Sequence, residues 1–578
     1  MENCKDYLSR VLGAALRECC GLADADANVI GASRPEFGDY QANGVMAAAG
    51  RCGRKPRELA DAVVAGLVDL EGWIASAEVA GPGFINIRLD DRALLARGNE
   101  ALAQPRALIP PARKRQKVVV DHSSPNLAKE MHVGHIRGTV IGDCLSRVFE
   151  RLGHEVIRQN HVGDWGTQFG MLIAHLRGRG GDSGALEAEL ADLEGFYRDA
   201  KHRFDSEAEF AARARASVVK LQSGDPEYLA AWRRFIDESL RHCQRIYQRL
   251  GVGLTLADLD AESRYNDDLA GIIRELDEKG LLRESEGARC VFPPEFHGKD
   301  GEPLPVIVQK SDGGYLYSTT DLAAVKLRAF GFKADRSLYV VDARQSLHFQ
   351  QVFAVARMAR MAPETLSLEH IAYGTIMGRD GKPYKTRAGD AVKLADLLDE
   401  AVARAFTLVS GKNPGLEEGE RRRIAETVGI AAVKYADLSK NRMSDYVFDW
   451  ATMLSFEGNT APYLLYACTR IKSLLRRSGD GGRSGGMARL AAPEERALLL
   501  KALQLPEVVD VVARECYPNL LCNYLFELAG AFMRFYESCP ILTAEAETRD
   551  SRLALARLAE EALGQGLGLL GIGTLERM

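Results

Sequence analysis

No apolar run in this sequence approaches the ~20 residues that a bilayer-spanning helix requires; runs such as Ile430 to Val433 and Leu498 to Leu500 are far shorter. The N-terminus, MENCKDYLSR, lacks a hydrophobic secretory segment. The chain therefore reads as soluble and cytoplasmic, with no membrane partner expected. Cysteine is sparse, 11 in 578 residues, and no Cys-x-x-Cys pair has metal-ligand spacing. A disulfide scaffold and a structural zinc site are therefore not expected, and no metal-ligating residues are assigned. Neither sign of charge dominates: 75 Lys plus Arg against 80 Asp plus Glu give a net charge of −5. A simple basic nucleic-acid binder is excluded, so any nucleic acid must be met by locally gathered basic residues. No repeat of fixed period is evident, and no exposed heptad or long apolar seam stands out, so the chain reads as a monomer.

What is present is ordinary globular material: 46% hydrophobic and 27% charged residues, enough for more than one core. At roughly 100 to 200 residues per domain, the length suggests about three to five domains. Helix-like and strand-like signals alternate through residue 103: an amphipathic start from Asp6 to Cys19, a helical Pro56 to Val68 and an alternating Gly83 to Leu89. This is an α+β module, placed at residues 1–108. QPRALIPPARKRQK, Gln104 to Lys117, has three prolines and five basic residues and reads as a linker. After it come an apolar strand ending at Asp121, a polar loop, a helix from Val133 to Leu152, a strand from Glu155 to Gln159 and a helix from Gln168 to Leu176. Strand, loop, helix, strand, helix predicts a doubly wound parallel sheet of Rossmann type, with ligands at the carboxyl ends of strands. A charged helical insertion, about 178–250, interrupts this sheet. Strands resume at Val306 to Gln309, Leu338 to Asp342 and Glu369 to Tyr373, so this α/β domain spans residues 109–400. Residues 401–578 carry helix-period segments without a convincing strand and predict an all-α bundle.

The most informative segment is DHSSPNLAKEMHVGHIRGTVIGD, Asp121 to Asp143. It leaves a strand, makes a loop and enters a helix at His132-Val133-Gly134-His135. Two imidazoles three residues apart share one face of a first helical turn, where free N–H groups and the helix dipole favour phosphate. Gly134 lets a planar ligand approach the backbone. Lys129, one turn earlier, would aim a cation at the same place. Such a site suits a nucleoside triphosphate, although two histidines at a helix start can also serve only as caps.

These residues resemble a known family. His132-Val133-Gly134-His135 matches the first signature of class I aminoacyl-tRNA synthetases, and SSPNLAKEMHVGH resembles arginyl-tRNA synthetases specifically. FGDYQ (Phe37 to Gln41) and GPGFINIRL (Gly81 to Leu89) are similar to that family's N-terminal domain. NTAPYLLYACTRIKSLLR (Asn459 to Arg476) and MRFYESCPIL (Met533 to Leu542) are similar to its anticodon-binding domain. The resemblance implies an arginine–tRNA ligase that uses ATP and Mg2+ to activate L-arginine and transfers it to the 3′ end of tRNA(Arg). It further implies that activation needs bound tRNA and that no editing domain exists.

Carried onto this chain, the resemblance has His132 and His135 hold the α-phosphate region and adenosine, with Gly134 and Lys129 beside them. The general second signature, Lys-Met-Ser-Lys, is absent; MGRDGKPYKTRAGD, Met377 to Asp390, stands in its place, like the KPxKTR loops of many arginyl enzymes. Lys385 is expected to lead there, with Lys382 second. A buried guanidinium needs carboxylates. By resemblance Asp121, Asn126, Tyr317, Asp321 and Gln345 form the amino-acid pocket, with His348 at its border. Read without the resemblance, Asp321 can be a helix cap and Asp121 a solvent-facing strand end. His161 to Gly166, HVGDWG, is left out of the site, because its glycines and Trp165 can simply pack a turn.

On the nucleic-acid side, Arg470, Lys472, Arg476 and Arg477 crowd one helix, and Tyr463 and Tyr536 offer stacking faces. These six are expected to meet tRNA, although such clusters are more often solvated faces. Two other readings compete: a synthetase-derived RNA-binding protein without catalysis, and an adenylating enzyme that acts on a small molecule without tRNA. Intact motif positions oppose the first, and the long basic helical C-terminal third opposes the second.

Overall fold

The computed structural model describes residues 2–67, 72–178, 193–384, 392–479 and 485–578. They form two compact units, one of Met1–Pro111 with Ser455–Gly568 and Gly573–Met578, the other of Ala112–Leu454 with Leu569–Ile572. Among the described residues no helix is long and apolar enough to cross a membrane.

In the first unit a four-stranded antiparallel sheet, ordered β1 (Val29–Gly31), β2 (Tyr40–Ala42), β4 (Phe84–Leu89), β3 (Ile74–Ala80), packs with helices Cys4–Cys20, Val45–Cys52 and Pro56–Ala65. β3 escapes the sequence pattern because none of its seven residues is fully buried, so apolar alternation never develops. The C-terminal helices, among them Ala461–Arg477, Pro518–Ser538 and Ala546–Leu569, join this module rather than standing apart. The bonds are specific: Arg496 forks onto Asp39 at 2.7 Å through both terminal nitrogens, and the Tyr40 hydroxyl donates to Glu507 at 2.6 Å.

The second unit is built on a parallel sheet ordered β11 (Ser367–His370), β10 (Arg336–Tyr339), β5 (Lys117–Asp121), β6 (Glu155–Gln159). The chain runs from β5 outward to β6 and later to the other side through β10. The order therefore reverses between β5 and β10, the place where an open α/β sheet leaves a crevice at its carboxyl edge. Asp121 ends β5 there, in register with Tyr339 of β10. The expected resumption of this sheet at Val306 to Gln309 is not observed. That strand, β9, pairs antiparallel with β8 (Ala288–Val291), which pairs with β7 (Arg283–Ser285) in a separate sheet. The turn Glu286-Gly287, with φ of 51° and 76°, closes a tight β7–β8 hairpin, and β9 pairs on the free edge of β8.

The described part of the insertion is helical, as expected: Leu193–Ser206, Ala208–Gln222 and Pro226–Leu250. The parallel-sheet unit runs beyond residue 400 to Leu454, because helices Leu394–Lys412 and Glu418–Leu438 pack on each other and the latter on helix Ile136–Arg151. A two-residue strand, β13 (Tyr446–Val447), pairs in parallel with β12 (Ile376–Met377). It lies where no strand is expected from sequence, since two residues are too few to show a period.

Candidate active site

The loop after β5 begins with Ser123 and Ser124 at φ of 72° and 47°, a left-handed conformation costing about 1 to 3 kcal/mol per residue unless its surroundings enforce it. They do. The Ser123 hydroxyl lies 2.8 Å from both Thr139 Oγ1 and Tyr247 Oη, Asn160 Oδ1 accepts from Ser124 N at 3.0 Å, and Ser124 Oγ donates to Asp121 Oδ1 at 3.0 Å. Tyr247 belongs to insertion helix Pro226–Leu250, whose Ser239 also bonds the Leu127 carbonyl. The insertion thus braces the motif loop, a role its charged sequence did not announce.

His132 and His135 cap the following helix reciprocally. Gly134 N donates to His132 Nδ1 at 3.0 Å, and His132 N donates to His135 Nδ1 at 3.0 Å. His132 Nδ1 accepts, so its neutral ring carries the proton on Nε2 and can donate from there, while His135 Nδ1 lies within reach of both the His132 N–H and, at 3.2 Å, the His132 carbonyl. Burial and the neighbouring Lys129 and Arg344 charges push the His132 pKa down; burial and His132 push that of His135 down to about 3. The capping and ligand-facing readings are therefore not alternatives, because caps using Nδ1 leave Nε2 available. A Cβ on Gly134 would lie 2.8 Å from His132 Cε1, so the glycine makes room first for the histidine ring. Further along, Gly142 lets the helix press on His122, where a Cβ would come within 2.1 Å of that residue's own.

These residues border a cleft of about 690 Å³ at the carboxyl edge between β5 and β10. It brings together His132, Gly134 and His135 with Asp121, Asn126, Tyr317, Asp321, Gln345 and His348. Asp321 does not cap its helix: the helix starts at Tyr317, and Ser318 and Thr319 bond instead to carbonyls of β9. Its Oδ2 lies 2.6 Å from His348 Nε2, with the carboxylate side chain 15% exposed. Tyr317, at 71% exposure, stands on the rim.

Asp121 faces neither solvent nor an empty pocket alone. Its Oδ2 accepts from the fully buried Arg328 at 2.8 Å, while Arg328 Nε donates to Gln159 at 2.7 Å and the guanidinium lies over the Tyr339 ring. Arg328 sits in a π-helical turn, Leu327–Gly331, continuing the helix that carries Tyr317 and Asp321. Sequence reasoning passed over it because an arginine inside LAAVKLRAF resembles any surface position. It also passed over Asp260 and Glu262, and it set His161 aside. His161 and Glu262 line the cleft. Burial opposes charge on His161, but the 3.2 Å contact with Asp260 and the nearby Asp121 and Asp321 overcome it and lift its pKa to about 9. Burial, helped by Asp164 and Asp321, raises Glu262 to about 7. Gly163 also reaches the cleft, whereas Trp165 packs edge-on against Trp232.

The expected cations are placed differently. Lys129 Nζ lies over the Tyr197 ring of the insertion at 4.4 Å and is not part of the cleft wall. Lys382 is exposed beside Pro383 and Tyr384, which do line the cleft. Lys385 lies outside the described residues. Arg344, gripped bidentately by Asp342 at 2.8 Å, reaches the cleft unforeseen. Among the described residues no group of three or more His, Cys, Asp or Glu side chains could hold a metal ion.

On helix Ala461–Arg477, Arg470 stacks on Tyr536 and Tyr466 at 4.8 and 5.4 Å. Tyr463 lies 5.5 Å from Phe526, centroid to centroid, and Arg477 is exposed. Lys472 and Arg476 share Glu576 at 2.6 and 3.3 Å, so two of the expected phosphate contacts are partly neutralised.

Three family models match this chain: tRNA synthetases class I (R), catalytic domain, over residues 99–450; arginyl tRNA synthetase N terminal domain over 6–89; and DALR anticodon binding domain over 464–578. It is 55% identical over 565 residues to an arginine–tRNA ligase of Laribacter hongkongensis, covering 98% of each chain, and 54% identical over 579 residues to that of Cellvibrio japonicus, covering 100% of each. Its structure is similar to those of arginyl-tRNA synthetases from Plasmodium falciparum (TM-score 0.86, 26% identity) and Thermus thermophilus (TM-score 0.83, 27% identity), with 100% of each chain covered. The helix-start histidines and carboxylate-lined cleft therefore lie in a chain that belongs to the arginyl-tRNA synthetase family of class I.

Proposed function

We infer that this protein is an arginine–tRNA ligase, working in the cytoplasm, and that the cleft between β5 and β10 is where it forms arginyl-adenylate. The observation that carries the reading is one cleft joining imidazole donors at a helix start to carboxylates around Asp321. In the first step an arginine carboxylate oxygen attacks the α-phosphorus of ATP and the bond to pyrophosphate breaks. No protein nucleophile is needed, so catalysis is alignment and neutralisation of phosphate charge. His132 and His135 donate from Nε2 to the α-phosphate and ribose side. Asp321, oriented by His348, takes the substrate guanidinium, with Tyr317 at the rim and Asn126 and Gln345 on the α-amino and carboxylate end. Asp121, already engaged by Arg328, holds the pocket's floor. Lys385 and Lys382 follow the leaving pyrophosphate. Mg2+ would supply positive charge at the phosphates when bound; among the described residues no cluster of three or more His, Cys, Asp or Glu side chains could hold it. In the second step a hydroxyl at the tRNA 3′ end attacks the activated carbonyl and AMP leaves. The helix bearing Arg470 and Arg477, with Tyr463 and Tyr536, meets the tRNA at its anticodon end; Lys472 and Arg476 join after exchanging Glu576 for phosphate.

Arginine-dependent exchange of pyrophosphate into ATP, measured with and without tRNA(Arg), tests this reading. Exchange that appears only with tRNA supports it. Exchange without tRNA points to a small-molecule adenylating enzyme, and none under either condition to an RNA-binding protein without catalysis.

A further inference from the structure

The described chain is bonded on either side of residues 385–391, to the first motif where it returns and to residues 441–448 where it leaves. Where the chain returns, Val133 N donates to Val392 O and Leu394 N donates to Met131 O, both at 2.9 Å. Where it leaves, residues 372–377 are gripped by 441–448: Gly374 N donates to Arg442 O at 2.8 Å, Tyr446 N to Thr375 O at 3.2 Å and Phe448 N to Met377 O at 2.9 Å. Beyond β12, Gly378 N donates to Lys382 O at 2.7 Å and Tyr384 N to Ile376 O at 2.9 Å. These bonds fold residues 376–384 into a hairpin that sets Pro383 and Tyr384 on the cleft wall.

One side chain ties the leaving end to the motif. Arg137, two residues after His135, is 1% exposed. Its Nη1 donates to Ser444 O at 3.0 Å, its Nε lies 3.1 Å from Asp437 Oδ2, and its guanidinium lies 5.2 Å from the centre of the Tyr446 ring. Burying a guanidinium and a carboxylate together is costly, and the chemistry proposed above makes no direct use of either. Only a planar fork reaches carboxylate and carbonyl at once; a lysine has one nitrogen on a flexible stem.

We propose that Arg137 is a positioning residue: held between Asp437 and the Ser444 carbonyl, it sets β13 against β12 and thereby fixes the hairpin Ile376–Tyr384 relative to His132 and His135. Its consequence for catalysis rests on the proposed part of that hairpin in adenylate formation; its structural content does not.

The test applies two measurements to the full chain carrying Arg137→Lys and, separately, Asp437→Asn, an isostere that keeps the interior filled if the lysine variant fails to fold. In hydrogen exchange, the amides of Tyr384, Tyr446 and Phe448 should open at least about tenfold faster while those of β5 and β10 keep their protection. In tRNA-dependent pyrophosphate exchange, kcat should fall by about 10- to 100-fold with the KM for arginine within about twofold. Unchanged exchange at the three amides in both variants overturns the proposal, as does equal acceleration through β5 and β10, which would make Arg137 a general support of the fold. A rise in arginine KM with kcat preserved also overturns it. Absence of pyrophosphate exchange in the unsubstituted protein would refute the ligase reading and leave the hydrogen-exchange prediction standing.

Discussion

Replacing Asp321 with asparagine removes one charge and almost no volume, which makes it the sharpest probe of how the cleft recognises its amino acid. The Asp321 side chain is 15% exposed and its Oδ2 lies 2.6 Å from His348 Nε2. An asparagine still reaches the imidazole, so the fold and His348's placement should survive. What is lost is the partner of a cation carried into a cleft whose other nearby carboxylates are occupied or partly neutral: Asp121 accepts from Arg328 at 2.8 Å, Asp260 contacts His161 at 3.2 Å, and Glu262 has a pKa raised to about 7. Leaving one member of a buried ion pair alone costs about 3 to 5 kcal/mol, and the partly open cleft puts this case at the lower end. About 3 kcal/mol corresponds to a loss of roughly 150-fold in kcat/KM for arginine. Steady-state pyrophosphate exchange with tRNA, varying arginine at saturating ATP and then ATP at saturating arginine, should show the loss only in the arginine series. A kcat/KM for arginine within about threefold of the unsubstituted protein would refute the assignment, since no compensating carboxylate is free to restore that much.

Other expected outcomes draw on different parts of the molecule. Lys385→Ala should slow single-turnover adenylate formation by about 10² to 10³ with little change in arginine affinity; a larger effect of Lys382→Ala would reassign the leading lysine. Gly134→Ala should push the His132 ring aside, because the new Cβ would meet Cε1 at 2.8 Å, and should lower kcat by about tenfold or more with an unchanged melting temperature. His161, lifted to about 9, gives stability that is complete below its unfolded value and lost as pH rises through about 9. The melting temperature should therefore fall between about pH 7 and pH 10 in the unsubstituted protein more steeply than in Asp260→Asn, and parallel slopes would contradict the coupling. Glu576→Gln should release Lys472 and Arg476, tightening tRNA binding and steepening its salt dependence, whereas an unchanged salt slope would remove both from the phosphate contacts.

Legibility followed the range of the physics involved. The strands β5 and β6 and the helix entered at His132 were readable because each is a local pattern: an apolar run, a cap, a period. The carboxylates Asp121 and Asp321 and the residues Asn126, Gln345 and His348 are joined in one cleft by resemblance alone, since 222 positions separate Asn126 from His348, a distance no local pattern spans. Arg328 and Asp260 were missed for the same reason. Their meaning lies in a bond across the sheet and a contact with the HVGDWG segment, and neither leaves a periodic trace. β9 reads from sequence as part of the parallel sheet because an apolar four-residue strand looks alike in either, and its pairing with β8 is a tertiary contact that leaves no local pattern. Lys129 was expected at the phosphates from its distance to His132 along the chain, yet the aromatic face of Tyr197, offered by the insertion, lies 4.4 Å from its ammonium.

The division of charge in the cleft bears on selectivity as well as affinity. A pocket with four unpaired carboxylates would attract any small cation and would be unstable empty, because like charges in a low-dielectric site repel. Here Arg328 bonds Asp121 at 2.8 Å and Arg344 grips Asp342 at 2.8 Å, so arginines of the protein engage two of the four that line the cleft. Burial raises the Glu262 pKa to about 7, so near neutral pH this group is partly neutral. Asp321 remains, its carboxylate aligned by His348 at 2.6 Å. On the reading proposed above, the substrate places its cation at Asp321, beside a wall that already contains an arginine. On the proposed role of Asp321, an amino acid whose side chain is uncharged would bring it no cation, and this asymmetry would reject neutral isosteres strongly enough that a separate proofreading site would have little to add.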